Sequence, residues 1–111
     1  MEVIPHQLLE YLTPHGENPF RKWLHSLRDG KTRAVIRVRL NRVRGGNFGD
    51  CEPIGDGVYE LRIHHGPGYR IYYGRIGSTI VLLLCGGEKG SQKSDIRQAK
   101  MFWRGYQERT R

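Results

Sequence analysis

Tyr59-Glu60-Leu61-Arg62-Ile63-His64-His65-Gly66-Pro67-Gly68-Tyr69-Arg70-Ile71-Tyr72-Tyr73 is the stretch that decides how this chain folds. Apolar and polar residues alternate on either side of a Gly-Pro-Gly turn, the pattern of two half-buried strands joined as a hairpin. Leu61 and Ile63 alternate with Glu60, Arg62 and His64, while Tyr69, Ile71 and Tyr73 alternate with Arg70 and Tyr72. A slip of one residue would turn a strand's whole apolar set to the other face, so burial fixes the register. Ile63 then opposes Tyr69 and Leu61 opposes Ile71, which sets Arg62 across from Arg70 and Glu60 across from Tyr72. Like charges directly opposite one another destabilise a sheet. The two arginines are expected on an exposed strand face, and they need either an anionic partner or a carboxylate of the chain such as Glu60.

Working outward, the second strand should continue to Ile76, turn at Gly77-Ser78 and return through Thr79 to Cys85. Ile80 to Cys85 is apolar at consecutive positions, as expected of a strand covered on both faces. If Ile76 opposes Thr79, Arg70 lies opposite Cys85, and the chain leaves the sheet through Gly86-Gly87-Glu88-Lys89-Gly90-Ser91-Gln92-Lys93. That glycine-rich exit brings Lys89 and Lys93 toward the arginines, but its spacing is not that of a P-loop. Before the hairpin, Cys51 to Ile54 reads as a short edge strand, where Pro53 is tolerated because an edge need not donate every hydrogen bond.

The N-terminal half reads as a strand and two helices. Val3 to Leu12 is expected to be a strand or irregular strand. Asn18-Pro19 supplies an N-cap followed by proline at the first helical position, and the helix should run from Pro19 to about Arg28 with Asp29-Gly30 ending it. Phe20, Trp23, Leu24 and Leu27 form its apolar stripe. A second helix over about Lys31 to Arg44 turns Ile36, Leu40 and Val43 inward and carries Arg33, Arg37, Arg39, Arg42 and Arg44 around the rest. Ser94-Asp95 is expected to cap a last helix with Ile96, Ala99, Trp103 and Tyr106 buried and Arg97, Lys100, Arg104 and Arg109 outward. These elements make an α+β fold: a small twisted antiparallel sheet with two N-terminal helices and a C-terminal helix packed on it. Residues 1–111 form a single domain.

Charge says more about partners than about fold. The chain carries 19 Lys and Arg against 11 Asp and Glu, a net charge of +8, which suits a polyanionic partner. The excess is uneven: residues 31 to 49 hold six bases and no acid. No acid within the second helix can form i,i+4 pairs with its arginines, so the helix is either a solvated basic face or a surface covered by phosphates or an acidic protein. Two cysteines, Cys51 and Cys85, lack metal-ligand spacing and suggest neither a disulfide scaffold nor a zinc site. A cytoplasmic location is expected, and the longest apolar run is too short to span a bilayer.

The chemistry these residues support is RNA cleavage without a cofactor. A 2'-hydroxyl can attack the adjacent phosphate if cations stabilise the charge that develops on the phosphoryl oxygens and another group handles the protons. Arg62 and Arg70 fit the first task, because guanidinium is planar, permanently charged and able to meet two phosphate oxygens at once. His64 shares a face with Arg62, and histidine is the residue type most often used for proton transfer, which makes it the leading proton carrier. Tyr72 and Lys89 are the alternatives. Cys85 has no adjacent His-Asp arrangement and reads as packing. Arg37, Arg39, Arg42, Arg44 and Lys93 are the expected RNA-binding residues, and neither metal nor cofactor is implied.

A family resemblance adds to this reading. Pro19-Phe20-Arg21-Lys22-Trp23-Leu24, Gly46-Asn47-Phe48-Gly49-Asp50, Gly57 to Ile63, Gly66 to Tyr73, Leu82 to Lys89 and the closing Asp95-Ile96, Ala99 and Trp103 resemble the RelE/ParE/HigB superfamily of toxins from type II toxin-antitoxin modules, most of all its HigB-like addiction module killer proteins. The resemblance implies a microbial-ribonuclease-like, RelE-like fold and a ribosome-dependent mRNA endonuclease (an mRNA interferase). It also implies neutralisation by an antitoxin with a helix-turn-helix domain, expected to bring an acidic segment to the arginine face. Arg70 matches the arginine of the family's Gly-Tyr-Arg motif, and Arg62 matches a basic position on the strand before it. Glu60 stands where the family has a second base, and Lys89 and Ser94 lie near the places of its later arginine and tyrosine. ParE members share the fold and inhibit DNA gyrase instead, so a gyrase inhibitor is the alternative, with a non-catalytic RNA-binding protein as a third reading.

Overall fold

Asn18 opens the first helix by the expected chemistry: its side-chain oxygen accepts from the Arg21 amide at 2.9 Å, with Pro19 at the first helical position. In the computed structural model, which describes residues 3–111, this helix is α1, Pro19–Ser26. It ends earlier than its apolar stripe suggests, because Asp29 caps the next helix rather than closing this one. The Asp29 carboxylate accepts from the Lys31 amide at 3.0 Å and from the Thr32 hydroxyl at 3.1 Å, which starts α2 at Gly30–Arg44. Ile36, Leu40 and Val43 face inward as the spacing predicts, with Thr32 buried beside them.

Among the described residues five strands form the sheet: β1 (Gln7–Glu10), β2 (Cys51–Gly55), β3 (Val58–Ile63), β4 (Tyr69–Ile76) and β5 (Ile80–Glu88), in the order β1-β5-β4-β3-β2. The β3–β4 hairpin has the predicted register, with Ile63 opposite Tyr69, Arg62 opposite Arg70 and Glu60 opposite Tyr72. β2 lies at the edge, where Pro53 is harmless. Two expectations about the sheet need correction. The sheet is mixed, because β1 pairs parallel with β5, Leu8 beside Val81. The β4–β5 register also differs: Ile76 opposes Ile80, and an extra residue on β5 across from Tyr72/Tyr73 sets Arg70 opposite Gly87 and Tyr72 opposite Cys85. Such a bulge re-aims side chains beyond it.

Both faces of the sheet are covered, as the apolar β5 run requires. One face carries Leu61, Ile63, Tyr69, Ile71, Tyr73, Val81 and Leu83 against Phe20, Leu24, Ile36, Leu40 and Val43 of α1 and α2. The other carries Val58, Tyr72, Leu82, Leu84 and Cys85 against Ala99 and Trp103 of the C-terminal helix. That helix, α3, spans Gln92–Arg109 and follows a 3₁₀ turn over Lys89–Ser91, so it starts before the predicted Ser94-Asp95 cap. Ile96 and Tyr106 are only half-buried, and Arg109 is not simply outward: its Nη2 donates to Tyr11 Oη at 3.3 Å and to the Leu12 carbonyl at 3.2 Å.

Gly86 and Gly87 are inside β5, not in a loop leaving it. A Cβ on Gly86 would lie 2.3 Å from the Trp23 ring, and one on Gly87 would lie 1.9 Å from Asp95 Oδ2. The pair therefore lets α1 and α3 close onto opposite faces of one strand. Gly74 does the same in β4, where a Cβ would sit 2.3 Å from Trp103 Cε3. Trp103 is buried and the strand is central, so neither can retreat. Gly74→Ala is expected to destabilise the domain by about 1 to 3 kcal/mol through overpacking, measured by urea denaturation; an unchanged midpoint would show that Trp103 can move aside.

Candidate functional site

Alternation along β3 and β4 carries Glu60, Arg62, Arg70 and Tyr72 to the face that α3 covers, and α3 begins over them with Gln92. Glu60 is at the centre, 0% exposed. Its Oε1 accepts from Arg62 Nε at 3.0 Å and lies 3.6 Å from Arg70 Nε, and its Oε2 accepts from Gln92 Nε2 at 2.7 Å. The opposed guanidiniums are thus bridged from within by one buried carboxylate. A buried charge is tolerated when paired and hydrogen-bonded, which this arrangement supplies.

The two arginines differ in exposure. Arg70 is only 8% exposed, which corrects the expectation of an open strand-face charge. It still lines a shallow depression with His64, Gly66 and Lys89. The Arg62 side chain is 33% exposed, and its Nη1 lies 3.8 Å from both Asp50 and Glu52. The hydrogen bond to Glu60 raises its pKa further above an already high value. The Arg62 guanidinium is therefore held in a fixed orientation by a hydrogen bond, the condition under which a donor stabilises developing charge without reorganising. Arg70 is positioned by burial beside Glu60, its Nε making no hydrogen bond among the described residues.

His64 is highly exposed and its Nε2 lies 2.6 Å from Asp50 Oδ2. This hydrogen bond, with the Arg62 cation beside it, holds the Asp50 carboxyl below the usual carboxylate range. Asp50 is in turn positioned by the loop after α2: Arg39 Nη2 donates to its backbone carbonyl at 3.2 Å. Gly49 makes room for that guanidinium, since at its φ of +59° a Cβ would lie 2.8 Å from Arg39 Nη2. Burial against the loop lowers the Arg39 pKa, although a guanidinium starts so high that it stays charged.

Arg62, Arg70, His64 and Lys89 therefore come together at the end of the hairpin. Tyr72 does not join them. It is wholly enclosed, and burial, with the Glu60 charge nearby, pushes its hydroxyl far above the usual phenol range. The geometry makes it a packing residue that keeps its proton, a correction to its place among the proton carriers. Burial likewise pushes the Cys85 thiol up to about 12, so no thiolate is available there. Arg39 and Arg42 line a cleft shared with Arg62 and His64, and Lys93 lines a depression with Lys89. Arg37 and Arg44 lie outside that cleft; Arg44 Nη1 donates to Asn41 Oδ1 at 2.6 Å. Asp50 and Gln92 were not legible as site residues, because each reaches the site from an element distant in sequence.

Residues 22–101 match the family model described as Phage derived protein Gp49-like. The chain belongs to this Gp49-like family. An uncharacterized protein of Haemophilus influenzae is 45% identical over 83 residues, covering 75% of this chain and 84% of the relative. The Gp49-like match runs from α1 into α3 and so includes Glu60, Arg62, His64, Arg70, Lys89 and Lys93, while β1 lies before it. No helix among the described residues is long and apolar enough to cross a membrane.

Proposed function

We propose that this Gp49-like protein is the toxin of a type II toxin-antitoxin module and acts as a ribosome-dependent mRNA endonuclease. The observation that carries the reading is the pair Arg62 and Arg70 bridged by buried Glu60 beside the His64–Asp50 pair. The Gp49-like family match and the resemblance to HigB-like toxins support it. In the reaction, the 2'-oxygen attacks phosphorus and the bond to the 5'-oxygen breaks, leaving a 2',3'-cyclic phosphate and a 5'-hydroxyl. Asp50 favours the imidazole tautomer with its proton on Nε2, so Nδ1 of His64 is free to take the proton from the 2'-hydroxyl. Arg62 and Arg70 bind the phosphoryl oxygens as charge grows on them, and Lys89 supplies a proton to the leaving oxygen.

The test is induced expression with mapping of new RNA 5' ends, set against gyrase-dependent DNA breakage. New ends within translated messages without breakage support the endonuclease, and breakage without new ends identifies a ParE-like gyrase inhibitor. The antitoxin, a helix-turn-helix protein in this reading, is expected to bring an acidic segment to the arginine face. Replacing Arg37, Arg42 and Arg44 with glutamine, which spares the loop-packed Arg39, is expected to weaken RNA or ribosome association. The salt slope should flatten by about 0.7 for each phosphate that is no longer neutralised. Unchanged binding across a salt series would make α2 a solvated face.

A further inference from the structure

Three depressions join across the end of the sheet. The largest is a cleft of about 560 Å³ between α2 and the end of β3, lined by Val35, Val38, Ile63, Arg39, Arg42 and Arg62 among others. His64 lines both this cleft and the shallower depression that holds Arg70 and Lys89. Lys89 belongs also to a third depression, with Lys93 and Arg97 at the start of α3. Shared residues make these one continuous path. Every charged group lining it is basic except Asp50, which is already bonded to His64.

The cleft at one end has a different character. Val38 is 52% exposed on a helix whose outer side is otherwise largely guanidinium, and Val35 and Ile63 extend the apolar surface beneath it. Asn47 lines the same cleft, with its Oδ1 accepting from the Gly49 amide at 3.1 Å and its Nδ2 available as a donor. An apolar slot with a hydrogen-bonding edge suits a flat heteroaromatic ring, and its volume lies within the range of about 300 to 1,000 Å³ usual for small-ligand sites. A basic path beside it suits a chain of regularly spaced phosphates.

We propose that the path binds single-stranded RNA and that the α2–β3 cleft takes one unpaired base next to the phosphate held by Arg62 and Arg70. The inference rests on the RNA-endonuclease reading and adds a base-binding subsite to it. An acidic amphipathic peptide would also satisfy the cleft, but it gives no account of the basic path continuing to Lys93 and Arg97. A single strand uses both: Arg42 meets the phosphate on the far side of the bound base, and Lys89 and Lys93 follow the backbone away from the reacting phosphate.

The test titrates the full chain, observed by NMR of its methyl and amide groups, with three probes. They are a 2'-O-methyl oligoribonucleotide that cannot be cleaved, the same strand with one abasic position, and an acidic peptide of equal charge. The intact strand is expected to shift the methyl signals of Val35, Val38 and Ile63 together with the amides around Arg62, Arg70 and Lys89. Removing the base at one position should abolish the valine shifts and weaken binding about tenfold. Val38→Ser, an uncharged change on an exposed turn of α2, should weaken the intact strand and affect the abasic strand little. Shifts confined to Arg62, Arg70 and Lys89 would overturn the base subsite and leave the endonuclease reading standing. Valine shifts produced by the peptide and not by the strand would overturn it in favour of a protein-docking cleft. No shift with the strand anywhere would overturn both the subsite and the RNA reading.

Discussion

Arg70→Ala is expected to reduce mRNA cleavage by about 10²- to 10³-fold, the loss usual when one fixed donor to a developing oxyanion is removed. The size follows from how Arg70 is held. It is 8% exposed, its Nε lies 3.6 Å from the Glu60 carboxylate, and it lines the depression shared with His64 and Lys89, so burial already limits its freedom before any substrate binds. Arg70→Lys should recover only part of the activity, because an ammonium keeps the charge and loses the bidentate geometry. Cleavage rates are to be compared with urea denaturation of the same variants, since an enclosed side chain also contributes packing. A folded Arg70→Ala variant with undiminished toxicity would remove Arg70 from the reaction.

Glu60→Ala is expected to destabilise the domain by about 3 to 5 kcal/mol, the range found when one partner of a buried ion pair is deleted. Arg62 and Arg70 would then face each other across the β3–β4 ladder with no carboxylate between them, and Gln92 would lose the acceptor that ties the start of α3 to the sheet. Against a total stability of about 5 to 15 kcal/mol, that loss leaves a substantial unfolded fraction. Glu60→Gln keeps the shape and one acceptor oxygen, so it should fold better while cleaving poorly, its arginines no longer held by a charge. Urea denaturation and cleavage rates on both variants decide the matter. Glu60→Gln with wild-type stability and rate would mean that the arginine pair needs no internal anion.

The hairpin, the α1 cap and the buried stripe of α2 were legible because each is written in a local pattern. Alternation fixes which face a strand residue takes, and burial then leaves one register, so the Arg62–Arg70 opposition followed from a short stretch of sequence. The apolar run of β5 likewise announced helices on both faces of the sheet. Arg70, His64 and Lys89 were found together for the same reason: two belong to the hairpin, and the third follows a strand that pairs with it.

What the sequence by itself determined is which residues could do chemistry and which strand face most of them share. Only the tertiary structure decided how they are held. A one-residue shift at the β4–β5 turn and the β5 bulge together moved Arg70 from Cys85 to Gly87, and β1 entered the sheet parallel to β5, outcomes of strand pairing that periodicity does not record. Gly86 and Gly87 looked like an exit loop until Trp23 and Asp95 occupied the space their missing side chains leave. Glu60 stood beside Arg62 in the sequence as a candidate counter-charge, but its complete burial comes from closing α3 over the sheet. Asp50 reaches His64 only through the loop packed on Arg39. Periodicity records the side of a strand or helix that turns away from water; it carries no record of which distant carboxylate, glycine or loop arrives there, and that arrival fixes the charge and orientation of every group in this site.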